Sequence, residues 1–152
     1  MERSVRLRLG LAAPVLGALY YYLLAFLIGW TSAILQWPSW WLGVFPSRHI
    51  AAVTWLVCVH TIGVISAAIP IAAMAVAIVR ERAVLLGILA AVMATTVGIL
   101  PSLRSDIWPL IWSNHPIFFI TDQIKLLVAV PFAAWIIRKP FSSSGFPTTA
   151  LR

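Results

Sequence analysis

Four residues are equipped to do chemistry in a chain that is otherwise almost wholly apolar: His60, Thr95, Asp122 and Lys125. Asp122 and Lys125 fall in the run Thr121-Asp122-Gln123-Ile124-Lys125, and their spacing of three puts both on one face of a helix. Two readings of this run lead to different chemistry. If a helix begins near Pro116, both charges lie about 9–14 Å below its outer end at 1.5 Å per residue, where they neutralise each other at membrane depth. If it begins at Asp122 instead, that residue is an N-cap, residues 116–120 lie flat in the interface, and Lys125 snorkels to the headgroups. The cap is the plainer expectation.

His60 lies ten residues into an apolar run that starts at Ile50, with Thr61 and Ser66 nearby. A neutral imidazole hydrogen-bonded to a neighbouring helix is the ordinary role there; proton relay, substrate contact and haem ligation are the functional ones. Haem needs a second axial ligand at matching depth, and His49 and His115 are both expected at the outer surface, so no cofactor is expected. Thr95 and Thr96 fall at a depth near His60, and the commoner role of such hydroxyls is a bond to a carbonyl of the preceding turn. Tyr20-Tyr21-Tyr22 sweeps about 200° of helix circumference, so at least one of the three faces other helices. Pro70 and Pro131 fall inside helical runs, where each removes a backbone hydrogen bond.

Missing motifs narrow the choice. The chain has no Gly-rich phosphate loop, no His-Glu-x-x-His, no Gly-x-Ser-x-Gly and no Cys-x-x-Cys, and its only acids are Glu2, Glu81, Asp106 and Asp122. Asp106 and Asp122 meet only if the segment between them folds back. The single cysteine, Cys58, excludes an intramolecular disulfide and a thiolate cluster.

The elements that must position these residues follow from composition. With 62% hydrophobic and 10% charged residues in 152, and a mean hydropathy of +0.99, a water-soluble globule has too few polar residues to cover itself. A bilayer needs no such cover. Four runs, at about 9–35, 50–79, 83–103 and 116–137, clear the roughly 17–25 residues a spanning helix requires. The expected fold is therefore an all-α, antiparallel four-helix membrane bundle over residues 1–139. Residues 140–152, rich in Ser, Pro and Thr, are expected to form a disordered cytoplasmic tail. Arg3, Arg6 and Arg8 precede an apolar run too long for a cleavable signal, which reads as a retained signal anchor.

Orientation is read from Lys and Arg in the flanks. Arg3, Arg6, Arg8, Arg80, Arg82, Arg138, Lys139 and Arg152 fall on one side, against Arg48, Arg104 and Lys125 on the other. The positive-inside bias then places both termini and the Arg80-Glu81-Arg82 turn in the cytoplasm, as expected for a bacterial inner-membrane protein. The charge of +7 is a topology signal, and no nucleic-acid partner is expected. The outer loops carry Trp37, Trp40, Trp41 and Phe45, then Trp108 and Trp112, in the pattern of an interfacial aromatic belt. Small residues at every fourth position, Ala25-Gly29-Ala33 and Ala90-Ala94-Gly98, are candidate helix contacts.

By elimination, the expected function is that of a small non-enzymatic accessory, assembly or immunity component of a membrane system. A small oligomeric transporter or channel, and a membrane enzyme or redox subunit working with haem or quinone, are the alternatives. The expected partners are the lipid bilayer and either a membrane protein or a second copy of the chain.

Overall fold

The structure, a computed structural model, describes residues 2–34, 36–103 and 116–142. It consists of α1 (Glu2–Ile34), a one-turn α2 (Trp41–Val44), α3 (Arg48–Ile78), a 3-10 turn (Arg80–Arg82), α4 (Ala83–Leu103) and α5 (Pro116–Ser142), with no strand among the described residues. Four of its segments are long and apolar enough to cross a membrane: Arg6–Thr31, Arg48–Ile78, Arg80–Leu100 and Phe119–Lys139. Long helices are what such runs must form in lipid, since each closes its own backbone hydrogen bonds. α5 continues to Ser142, beyond the point at which the sequence suggests a tail. The expectations for residues 143–152, and for Asp106, Trp108, Trp112 and His115, lie outside the described residues.

Local signals set the helix ends. Ser47 caps α3 by accepting a hydrogen bond from the Ile50 N–H at 3.2 Å. At its far end, Val79 N–H donates to the Ala75 carbonyl at 3.0 Å and Arg82 N–H to the Val79 carbonyl at 3.1 Å, which turns the chain directly into α4. The Arg138 guanidinium then donates to the Glu81 carbonyl at 3.0 Å, tying the end of α5 to this turn. Trp41 secures the opposite side: its indole N–H donates to the Ala51 carbonyl at 2.9 Å, and its ring meets Trp55 with centroids 5.1 Å apart.

Each long helix packs chiefly against two others, in the cyclic order α1, α4, α5, α3, and α3 and α4 also touch each other. The buried centre is built largely of small residues, among them Ala67, Ala72, Ala90, Ala94 and Ala134, around Tyr20, Ile71, Leu86 and Val130. Lipid offers no hydrophobic drive for helix association, so close backbone approach supplies the contact. At Gly17, an added Cβ would lie 2.5 Å from the Met93 Cβ and 2.9 Å from the Ala90 carbonyl oxygen. At Gly87 it would lie 3.3 Å from the Pro131 Cα.

The stripe Ala90-Ala94-Gly98 is part of this contact, with Gly98 against the Tyr21 ring. The other stripe is not. Ala25, Gly29 and Ala33 are exposed, and Gly29 has nothing within 4 Å of where a Cβ would stand. The packed face of α1 carries Leu9, Ala13, Leu16, Tyr20 and Leu24 instead, which leaves Gly29 about 180° away from Tyr20.

Candidate functional site

Where α5 begins decides what Asp122 is. The helix starts at Pro116, so Asp122 sits in its second turn and the N-cap reading does not hold. Proline suits a first helical position, because its fixed φ is helical and its missing N–H would have no partner there. Residues 116–120 are accordingly helical, and the Thr121 hydroxyl already donates to the Ile117 carbonyl at 2.6 Å.

From that position Asp122 joins two helices. One carboxylate oxygen, Oδ1, accepts from the Lys125 ammonium at 3.2 Å; the other, Oδ2, stands 3.2 Å from His60 Nδ1 on α3. The side chains of His60, Asp122 and Lys125 are 27%, 32% and 21% exposed, so the cluster is mostly covered without being sealed. All three residues lie in span-length apolar segments.

The donor and acceptor inventory defines what the cluster can do. With Asp122 ionised, His60 Nδ1 carries the hydrogen, and in a neutral imidazole Nε2 keeps its lone pair. Nε2 is then free to take a proton or to accept a hydrogen bond, and Lys125 retains N–H groups beyond the one given to Asp122. With a neutral imidazole the cluster carries no net charge, since the carboxylate and ammonium cancel. The arrangement is thus a proton-accepting and hydrogen-bonding centre. No group of three His, Cys, Asp or Glu side chains able to hold a metal occurs among the described residues. His49 lies eleven residues up α3, about 16 Å from His60, too far to share a haem iron with it.

Thr95 is the one expected site residue that stays outside the ion pair. Its hydroxyl is buried without a hydrogen-bond partner, and so are the Tyr20 hydroxyl and the Gln123 side-chain oxygen. The expected bond to the preceding turn is made by its neighbour, with the Thr96 hydroxyl donating to the Val92 carbonyl at 2.8 Å. Glu81 lies against Arg138 and Gly87 against Pro131, so α4 and α5 run antiparallel; eight residues on from the Gly87 contact, Thr95 comes level with Gln123. On α1, which runs parallel to α4, Gly17 lies against Ala90 and Ala94, and Tyr21 against Gly98, which brings Tyr20 near the same level. Three unpartnered oxygens on α1, α4 and α5 therefore share a layer of the interior. In the sequence, the polar residue Gln123 in an apolar run signals one of them; which of the three tyrosines points inward carries no such mark.

No protein family, curated protein or solved structure matches the chain.

Proposed function

We propose that the chain is a four-span inner-membrane protein, a bundle whose successive spans run antiparallel, with both ends in the cytoplasm. In this reading it serves a membrane system as a non-enzymatic component, and its recognition centre is His60–Asp122–Lys125. The observation that carries the proposal is the ion pair itself. Ionisable groups within the hydrocarbon region are costly and ordinarily face a partner, a cavity or a bound group. A pair left about a quarter exposed at that depth calls for a polar group to cover it, presented from within the bilayer by a ligand or a neighbouring subunit. The absence of catalytic motifs from the sequence favours recognition over turnover, and the bias of eight basic residues against three supports the orientation.

A second reading, a small transporter, draws support from Tyr20, Thr95 and Gln123, whose unpartnered oxygens form a polar layer in the interior. It calls for a route through the bundle centre. The recognition reading calls for access only from the side.

Cysteine accessibility tests the placement. With Cys58 replaced by alanine, a cysteine at position 122 is expected to resist a membrane-impermeant maleimide from either face of the membrane. Reporter fusions after Arg82 and Lys139 are expected to report cytoplasm, and one after Pro46 the outside. Ready labelling of position 122 by the impermeant reagent in intact cells would place the carboxylate in water and end the proposal.

A further inference from the structure

A groove of about 440 Å³ runs along the seam between α3 and α5, lined without a polar atom by residues that include Ile65, Ala68 and Ile69 of α3 and Ala129, Phe132 and Ala133 of α5. Its lips face outward: Ile65, Ile69 and Phe132 are each more than half exposed. On α5 this groove and the ion pair belong to one stripe. At 100° per residue, Asp122, Lys125, Ala129, Phe132, Ala133 and Ile136 fall within an arc of about 100°. α3 runs parallel to α5 along this seam, with His60 beside Asp122 and Ile65 to Ile69 about one and a half to two and a half turns further along. On α5 the apolar groove thus lies directly below Asp122 and Lys125, whereas on α3 Ile65, Ala68 and Ile69 are turned about 140°, 80° and 180° from His60, which meets the stripe only through Asp122.

Resting on the recognition reading above, we propose that this seam binds a neutral lipid with a single chain and a small oxygen-bearing headgroup, of the prenyl quinone class. Three properties of the cleft select that chemistry. The first is charge: Asp122 and Lys125 cancel, and Asp122 would repel an anionic headgroup that approached Lys125, whereas a neutral carbonyl oxygen accepts from Lys125 without disturbing the pair. The second is depth: Asp122 lies three residues, about 4.5 Å, inside the span-length segment that begins at Phe119, so a headgroup that reaches it must be small enough to enter hydrocarbon. The third is width: a groove between two adjacent helices that narrows to Ala68, Ala129 and Ala133 suits one chain.

The test is equilibrium binding to the full-length protein in lipid nanodiscs, with a decyl-substituted benzoquinone as probe. Unsubstituted benzoquinone serves as the head without a tail, and palmitate as a tail with an anionic head. The decyl quinone is expected to bind saturably and at least about tenfold more tightly than either control. Ala133→Trp, which fills the groove from its floor, and Lys125→Met, which removes a head donor, are each expected to weaken it about tenfold or more. Size-exclusion profiles and unfolding midpoints of the variants separate loss of the site from loss of the fold. Should Ala133→Trp fail to fold, Ile69→Trp fills the groove from α3. Equal binding of the tailless quinone would remove the groove from the proposal. Tighter binding of palmitate would make the ligand an anionic lipid, and undiminished binding by both folded variants would place the quinone elsewhere. Each of these overturns the inference while position 122 remains shielded from impermeant maleimide; labelling of position 122 would instead remove the reading beneath it.

Discussion

Removing the charge of Asp122 is expected to do more damage than removing either of its partners, because it alone touches both of the others. In Asp122→Asn the amide keeps one acceptor oxygen and turns an NH2 group toward the second donor. One of the two 3.2 Å contacts becomes donor against donor, and Lys125 loses its counter-charge. Breaking a fully buried pair costs roughly 3–5 kcal/mol, and an exposed pair is worth about 0–1. With side chains 21–32% exposed, the expected cost lies between these limits, at roughly 2–3 kcal/mol. Lys125→Met leaves Asp122 its contact with His60 and is expected to cost about 1–2 kcal/mol. His60→Gln leaves the Asp122–Lys125 pair standing and forfeits about one ordinary hydrogen bond, up to about 1 kcal/mol. The double variant Asp122→Asn with Lys125→Met strands no charge and is expected to recover part of the loss seen in Asp122→Asn alone. Equilibrium unfolding of the purified protein in mixed micelles, titrated with a denaturing detergent, measures all four. If the three single variants fall within about 0.5 kcal/mol of wild type, as exposed charges do, or if His60→Gln proves the most damaging, the geometry deduced for the cluster is wrong.

Three further outcomes follow from the packing. Gly17→Val drives a side chain into Met93 and the Ala90 carbonyl and is expected to destabilise the fold by roughly 1–3 kcal/mol in the same unfolding assay, while Gly29→Ala, with open space before it, stays within about 0.5 kcal/mol. Tyr20→Phe removes a hydroxyl that is fully buried without a partner, so stability is expected to hold or rise by up to about 1–3 kcal/mol; a clear loss would show that the hydroxyl is bonded. Trp41→Phe keeps an aromatic ring against Trp55 but deletes the N–H that donates to the Ala51 carbonyl, and limited proteolysis is expected to cut residues 36–47 faster than in wild type.

Hydropathy made the helices legible because it measures how long a segment remains apolar, and that length decides whether a segment can span a bilayer. It is silent about rotation around the helix axis. In lipid the outward face is as apolar as the inward one, so Ala25-Gly29-Ala33 and Ala90-Ala94-Gly98 look alike in sequence although only the second meets another helix. What separated them was the ridge Leu9, Ala13, Leu16, Tyr20 and Leu24 on the opposite face of α1, together with Gly17, four residues on from Ala13 on that same packed face. The Thr95 hydroxyl was misjudged for a related reason. Back-bonding is available to any helical threonine, and Thr96 takes it while Thr95, one residue and about 100° away, does not.

The polar cluster was half legible. Asp122 and Lys125 are three apart, so their pairing needed only the knowledge that the helix begins at Pro116, and proline's fitness for a first turn pointed that way against the cap reading. His60 is a different matter, since it lies sixty-two residues from Asp122 and joins it only because α3 and α5 are neighbours in the ring. Had α5 packed beside α1 instead, the same residues would have left His60 facing lipid alone and the Asp122–Lys125 pair without its third member. What makes the cluster a site is therefore the helix order. That order is held at one end by Gly87 against Pro131 and by the Arg138 bond to the Glu81 carbonyl, where no charge pair is needed to explain it. The fold brings His60 to Asp122 by contacts made elsewhere, and so the three side chains remain free to exchange their partners for those of a ligand.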